Sequence, residues 1–459
     1  MTQCVSIASP EIYLMDIIND QADGTSLFVL RYSFVQYYLD DEPAIELLSV
    51  MEVVSGVVEN VAVMSWQLER EHQLEACIDW LAVEACLIEQ GIPAFSINAP
   101  IQLETIAILK PWGQEIWYTG IESRGQSRVT DGLSSVPLPW LLSLLPEALT
   151  GKREKSLNLL KILDPLPEKV YGDLYFEQHE EKQEVYVVTH IDEKAWPAGK
   201  GGIRIGFDED KRSQYENNET CKAAFAKAVT KYEVVRRQID VIIDDYREQQ
   251  NLALDAPVSA DQLKQWIKKL PDELSYKEEQ LRAEMDSFKG LKPLSIGDVL
   301  KVPCYTPHSL QHGVRTIEFQ TPVYERQIIS FAQKVLTQDH WDTESALCKM
   351  NLDIPADDIL PVISNSNGVL IEEVVSFDSF YVWRLTLVAG AIYRLNLNVD
   401  YAVLITVFGA IKVSGSRVSA SQVLLPEQAA LLSKVSIKSC VELCNTDADA
   451  TIIMLSFPR

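Results

Sequence analysis

The chain has 459 residues, 47% hydrophobic and 23% charged, with 20 Gly and 21 Pro. That composition excludes collagenous, low-complexity or predominantly disordered protein and allows roughly two to four packed units. Against 41 Lys and Arg stand 66 Asp and Glu, a formal charge of −25, and a field of that sign repels polyphosphate and anionic lipid, so neither nucleic acid nor a membrane is expected as partner. The imbalance is uneven, because residues 1–99 hold 16 acids and only Arg31 and Arg70 as bases. That stretch is a solvated acidic surface or a face for a basic protein partner.

The 8 cysteines are scattered, with no CxxC pair, and read as reduced thiols. No basic segment precedes an apolar core at the start of the chain, where Asp16 and Asp20 come early, and no window of about 18 residues is free of charges and turn formers. A cytoplasmic location is expected.

In chain order, residues 42–92 carry apolar side chains at mixed three and four spacing with Glu between them, which predicts amphipathic helices. Residues 1–98 are therefore expected to form an acidic, mostly helical region. From Ile101 the text changes to short apolar runs broken by Gly and polar pairs, IQLETIAIL and then EIWYTGIES, which predicts a β-rich body. A charged helical block follows at 216–289, with Ser259 as an N-cap, and reads as an insertion because strands resume at Leu294. The last ninety or so residues read as short strands at regular spacing (YVWRLTLVAGAIYRLNL, YAVLITVFGAIKVSG, SRVSASQVLL and ATIIMLSF), the pattern of a sandwich or jelly roll.

The chemistry concentrates in Gly172-Asp-Leu-Tyr-Phe-Glu177-Gln-His179-Glu-Glu-Lys182-Gln-Glu184. Read as a hairpin with its turn at 180–183, it pairs His179 with Glu184 and Glu177 with Tyr186. The period of two then projects Glu177, His179 and Glu184 from one face, able to share one ion. A second segment, Gly297 to Pro303-Cys-Tyr-Thr-Pro307-His308, offers another imidazole at a strand entry. Each residue alone has an ordinary reading as surface or core; the conjunction points to a metal site. His312 could carry a proton, although a strand-end histidine is the ordinary reading.

The spacing of these segments resembles the two motifs of the cupin superfamily, with Glu177 where His is common and Tyr305 where Gly is common. It is most similar to the cupin-type phosphomannose isomerases, also called mannose-6-phosphate isomerases. Leu174-Tyr-Phe-Glu177-Gln-His179 matches that family's L-x-x-Q-x-H strand, Lys182-Gln-Glu184 its K-x-E segment, and Pro303 to His308 its P-x-G-T-P-H turn. LKPWGQEIW (109–117), LNLLKILDPLP (157–167) and the Glu318-Phe-Gln320 strand resemble further family segments. The resemblance covers roughly residues 100–459 and does not extend to residues 1–95.

The resemblance implies a mainly β fold with helical additions, in which tandem cupin jelly-roll barrels carry a helical insertion. It implies a metal-binding domain at 99–215 and 290–340, the insertion at 216–289, and a C-terminal barrel at 341–459. No histidine follows His340, so that last barrel is expected to lack a histidine-ligated metal. Glu177, His179, Glu184 and His308 are the implied ligands of a divalent ion, zinc first. Lys182 and Arg326 are the implied catalytic residues, acting on a hexose phosphate by aldose–ketose isomerisation through an enediol. Two departures stand out: Glu177 replaces a neutral Gln, and Arg326 follows Glu318 by eight residues where the family spacing is ten. The alternative function is a non-catalytic cupin that binds a sugar or a protein. A cupin oxygenase, with three His and one Glu, fits the E-x-H motif less well.

Overall fold

The computed structural model describes residues 3–18, 24–41, 43–151, 157–356, 359–415 and 421–459. They group into two compact units, one of Met1–Ile106, Trp117–Leu160 and Ile359–Arg459, the other of Ala107–Ile116 and Lys161–Asp358. Mainly β structure with several helices is observed, as expected. Residues 117–160, however, group with the C-terminal strands rather than with the implied metal-binding strands.

The first unit begins with a five-stranded sheet in the order Cys4–Ile7, Thr25–Val35, Ala44–Val54, Val57–Ser65 and Phe95–Ser96. This corrects the mostly helical expectation for 1–98. Residues 47–51 are buried one after another, so the strand lacks the apolar/polar alternation of a half-exposed one, and a run of apolar residues does not separate helix from strand. Two signals favoured strands: the valine-rich text, and Ser55-Gly56, which turns the hairpin with both φ positive (48° and 79°). Helices do follow at Leu68–Glu75 and Trp80–Gln90. The second starts on the Asp79 side chain, which accepts from the Ala82 N–H, and ends on left-handed Gly91. Leu74, Trp80, Val83 and Leu87 pack onto Val29, Leu48, Val50, Ala62 and Met64 of the sheet.

The same unit holds a nine-stranded and a four-stranded sheet. Leu385, Leu404, Ala430 and Leu455 of the larger pack with Ile411, Val413 and Leu443 of the smaller in one core. The strand expected around 416–425 is seen at Ser421–Leu424; residues 416–420 lie outside the described residues.

The second unit contains a six-stranded sheet, ordered Val299–Val302, Glu184–Ile191, Val314–Gln320, Leu159–Pro165, Gly113–Trp117 and Ile106–Lys110. Its five-stranded sheet is ordered Lys289–Leu294, Gly201–Phe207, His308–Leu310, Phe176–Gln178 and Gln327–Ser330. Among the described residues no sheet closes on itself. The helical block is present as Asn218–Gln249, Ala260–Ile267 and Asp272–Asp286. The Asn217 and Thr220 side chains form a reciprocal capping box at the start of the long helix, and Ser259 caps the second helix. Phe225 of the long helix meets Phe207 and Phe288 edge-on or tilted, seating the block on the second unit's own core.

Candidate metal centre

The expected hairpin between the two ligand segments does not form. Phe176–Gln178 pairs with His308–Leu310 and Gln327–Ser330, whereas Glu184–Ile191 pairs with Val299–Val302 and Val314–Gln320. The expected common face of one hairpin is therefore replaced by convergence from two sheets, because the chain passes from one sheet to the other at 180–183. Glu177 lies directly opposite His308 in the five-stranded sheet, and Glu184 enters from the six-stranded sheet.

The four side chains nevertheless converge. Ligand atoms of Glu177, His179 and His308 all lie within 4.8 Å of one another. Glu184 Oε1 is 2.8 Å from His308 Nε2 and 3.3 Å from His179 Nε2, while Glu177 Oε1 is 3.9 Å from His179 Nε2. His179 Nδ1 is 2.9 Å from the Glu325 carbonyl and His308 Nδ1 is 3.1 Å from the Thr306 carbonyl. Each Nδ1 must therefore carry the proton it donates, and each ring turns its Nε2 into the cluster, where it offers a lone pair whenever the ring is neutral. Both Nε2 atoms and Glu177 Oε2 are buried without a hydrogen bond. Lone pairs facing carboxylate oxygens at these distances repel unless a cation lies between them, a proton or a metal ion. Two imidazoles and two carboxylates so arranged fit a divalent metal ion.

The charges follow from burial set against neighbours. Burial alone would raise Glu177, but Arg326 and then His179 hold it below the usual carboxylate range. Glu184 is held well below that range, burial notwithstanding, by Lys182 and His179. Burial and Lys182 push His179 down. His308 rises despite its burial, through its contact with Glu184 and the charges of Glu184 and Glu177.

Lys182 and Arg326 also reach the cluster. Lys182 Nζ lies 2.7 Å from Glu184 Oε2. Arg326 Nη1 lies 3.8 Å from Glu177 Oε2, its guanidinium 4.9 Å from the Tyr175 ring centroid, and its Nη2 donates to Thr337. His312 is held elsewhere, 2.6 Å from Asp173 and stacked on Trp196.

Sequence reasoning missed a second tier. Tyr186 donates to Glu184 Oε1 at 3.0 Å, a contact forecast by their spacing of two on one strand. Lys161 lies 3.3 Å from Glu318 and 4.0 Å from Glu115, which pairs with Lys110 at 3.2 Å. A lysine inside the apolar run LNLLKILDPLP was the available signal, since a buried ammonium requires carboxylate partners. Burial lifts Glu318 to about 8; Lys161 opposes the rise and the Glu184 charge adds to it.

No protein-family model matches the sequence, and no curated protein does. Solved structures do match. Mannose 6-phosphate isomerase from Bacillus subtilis superposes with a TM-score of 0.52 at 12% identity, covering 78% of this chain and 99% of that one. Two point mutants of phosphomannose isomerase from Salmonella typhimurium give TM-scores of 0.53 and 0.52 at 15% and 14% identity, with the same coverage. The resemblance read from the motifs thus extends to the fold: over 78% of its length, at low identity, this chain shares the fold of phosphomannose isomerases.

Proposed function

We propose that the chain is a metal-dependent aldose–ketose isomerase of a hexose phosphate, interconverting mannose 6-phosphate and fructose 6-phosphate through an enediol on a cupin-type scaffold. The observation that carries this reading is the convergence of Glu177, His179, Glu184 and His308, with buried Nε2 atoms that lack hydrogen bonds. These four residues are the proposed ligands, and zinc is the first choice of ion, ahead of iron, manganese and nickel. Once bound, such an ion supplies Lewis acidity toward the sugar's carbonyl and hydroxyl oxygens.

The chain's own groups supply the rest. Lys182 and Arg326, beside Glu184 and Glu177, offer cationic contacts to phosphate and to developing oxyanion charge. Glu318 and Lys161 lie 3.3 Å apart and are both buried, a fixed pair whose charges bear on Glu184. The test is a coupled mannose 6-phosphate to fructose 6-phosphate assay on metal-loaded protein, with turnover expected to vanish on chelation and in His308→Ala. A fully metallated chain inert on several hexose phosphates would refute the isomerase.

A second role, binding of a basic protein partner by the N-terminal region, is supported by its acidic surplus and by Ile78, Leu81 and Ile88, which are 82%, 75% and 67% exposed beside Glu84 and Glu89. A Lys/Leu amphipathic peptide is expected to bind in a salt-sensitive manner, and to bind at least tenfold more weakly to a chain carrying Leu81→Ser and Ile88→Ser. Equal binding by that chain would refute the role. Among the described residues no helix is long and apolar enough to cross a membrane, and a cytoplasmic location is proposed with the isomerase reading.

A further inference from the structure

Beside the cluster, one acidic residue, Glu325, is bonded directly to the ligand segment. The Glu325 carboxylate accepts from three consecutive backbone N–H groups at 180–182. Both of its oxygens lie about 3 Å from the Glu180 nitrogen (3.0 and 2.9 Å), and Oε2 lies 3.1 Å from that of Glu181 and 3.4 Å from that of Lys182. Its backbone carbonyl takes the His179 Nδ1 proton at 2.9 Å. Successive N–H groups turned toward one point form an anion-binding nest, and this nest holds a side chain of the chain itself. The same segment is tied again where Gln183 N–H donates to Thr321 Oγ1 at 3.1 Å and Thr321 N–H to the Gln183 carbonyl at 3.0 Å. Its next residue, Arg326, is the one that faces Glu177.

From this geometry we infer that Glu325 is a positioning residue for the metal centre: its carboxylate locks the crossover between the two sheets, so that its carbonyl fixes the His179 tautomer and Lys182 is held against Glu184. The crossover joins His179, contributed from one sheet, to Glu184, contributed from the other. If it is free to move, the two donors lose their common focus. Nothing in the resemblance assigns a role to this position, and the inference rests on the metal reading above.

The test is zinc affinity by competition against a chromophoric chelator, using the full chain stripped of metal. The thermal midpoint of each metal-free variant is recorded alongside, and affinity is read well below it. Glu325→Ala is expected to weaken zinc binding about 10- to 100-fold, as loss of an outer hydrogen-bond partner does elsewhere. Glu325→Gln, which keeps one acceptor oxygen, is expected to fall between Ala and wild type. A purely structural role would lower the midpoint and leave the affinity of the folded protein unchanged. A wild-type chain that takes up no zinc overturns the metal reading itself. Tight binding by wild type together with equal binding by the variants overturns the role of Glu325 alone. If Glu325→Ala does not fold, Glu325→Gln decides by the same comparison, weaker binding supporting the role and equal binding refuting it.

Discussion

His179 and His308 each give the Nδ1 proton to a backbone carbonyl, which leaves Nε2 able to accept a cation and little else. Glu177 is the residue that sets this centre apart, since a second carboxylate adds a negative charge where the resembled family has a neutral amide. Glu177→Gln is accordingly expected to weaken binding of a divalent ion by about tenfold or more, measured by chelator competition; unchanged affinity would place Glu177 outside the ligand set. Lys161 is buried against Glu318 and Glu115, so Lys161→Met removes the cation 3.3 Å from buried Glu318 and leaves Glu115 to Lys110. It should cost about 3–5 kcal/mol in urea denaturation at neutral pH. Glu318 carries a pH signature. Burial raises it from 4.5 to about 8, so the folded state holds a proton that the unfolded state releases. This contribution to stability is complete below about pH 4.5 and is lost as the pH rises through 8. Metal-free wild type should therefore lose stability between pH 5 and 8 relative to Glu318→Gln, and parallel pH profiles for the two would contradict the assignment.

At the scale of elements, the side chains of the site were legible and their strand partners were not. The motif spacing singles out Glu177, His179 and Glu184, but they come from two sheets whose hydrogen-bond partners lie between Val299 and Ser330, far off in sequence, and no local pattern encodes that pairing. The N-terminal strands were hidden by their own burial, because residues 47–51 lack a polar face to mark the period. The helical insertion was readable because caps and charges are local signals, at Asn217 and Ser259. Gly172, which opens the motif, has a steric reason: a Cβ there would lie 1.8 Å from the Leu166 carbonyl oxygen and 2.8 Å from His312 Cβ. Backbone cannot yield as a flexible side chain does, so Gly172→Ala should destabilise by about 1–3 kcal/mol, read as a lowered thermal midpoint. An unchanged midpoint would contradict this packing.

Over the whole molecule, strong negative charge and a cationic site coexist because the cations are local and paired. Lys182, Arg326, Lys161 and Lys110 each face a carboxylate, while the acidic surplus is concentrated in residues 1–99. The mainly β body and the C-terminal strands were legible from the sequence, whereas the division of the strands among separate sheets was not, because it depends on register among distant strands. The fold is shared with phosphomannose isomerases at 12–15% identity. The most direct test of the account is the zinc content of metal-stripped protein after equilibrium dialysis. It predicts one tightly held ion per chain, lost in His308→Ala while the fold is retained; a wild-type chain that retains no stoichiometric ion, or a His308→Ala chain that retains it fully, would contradict it.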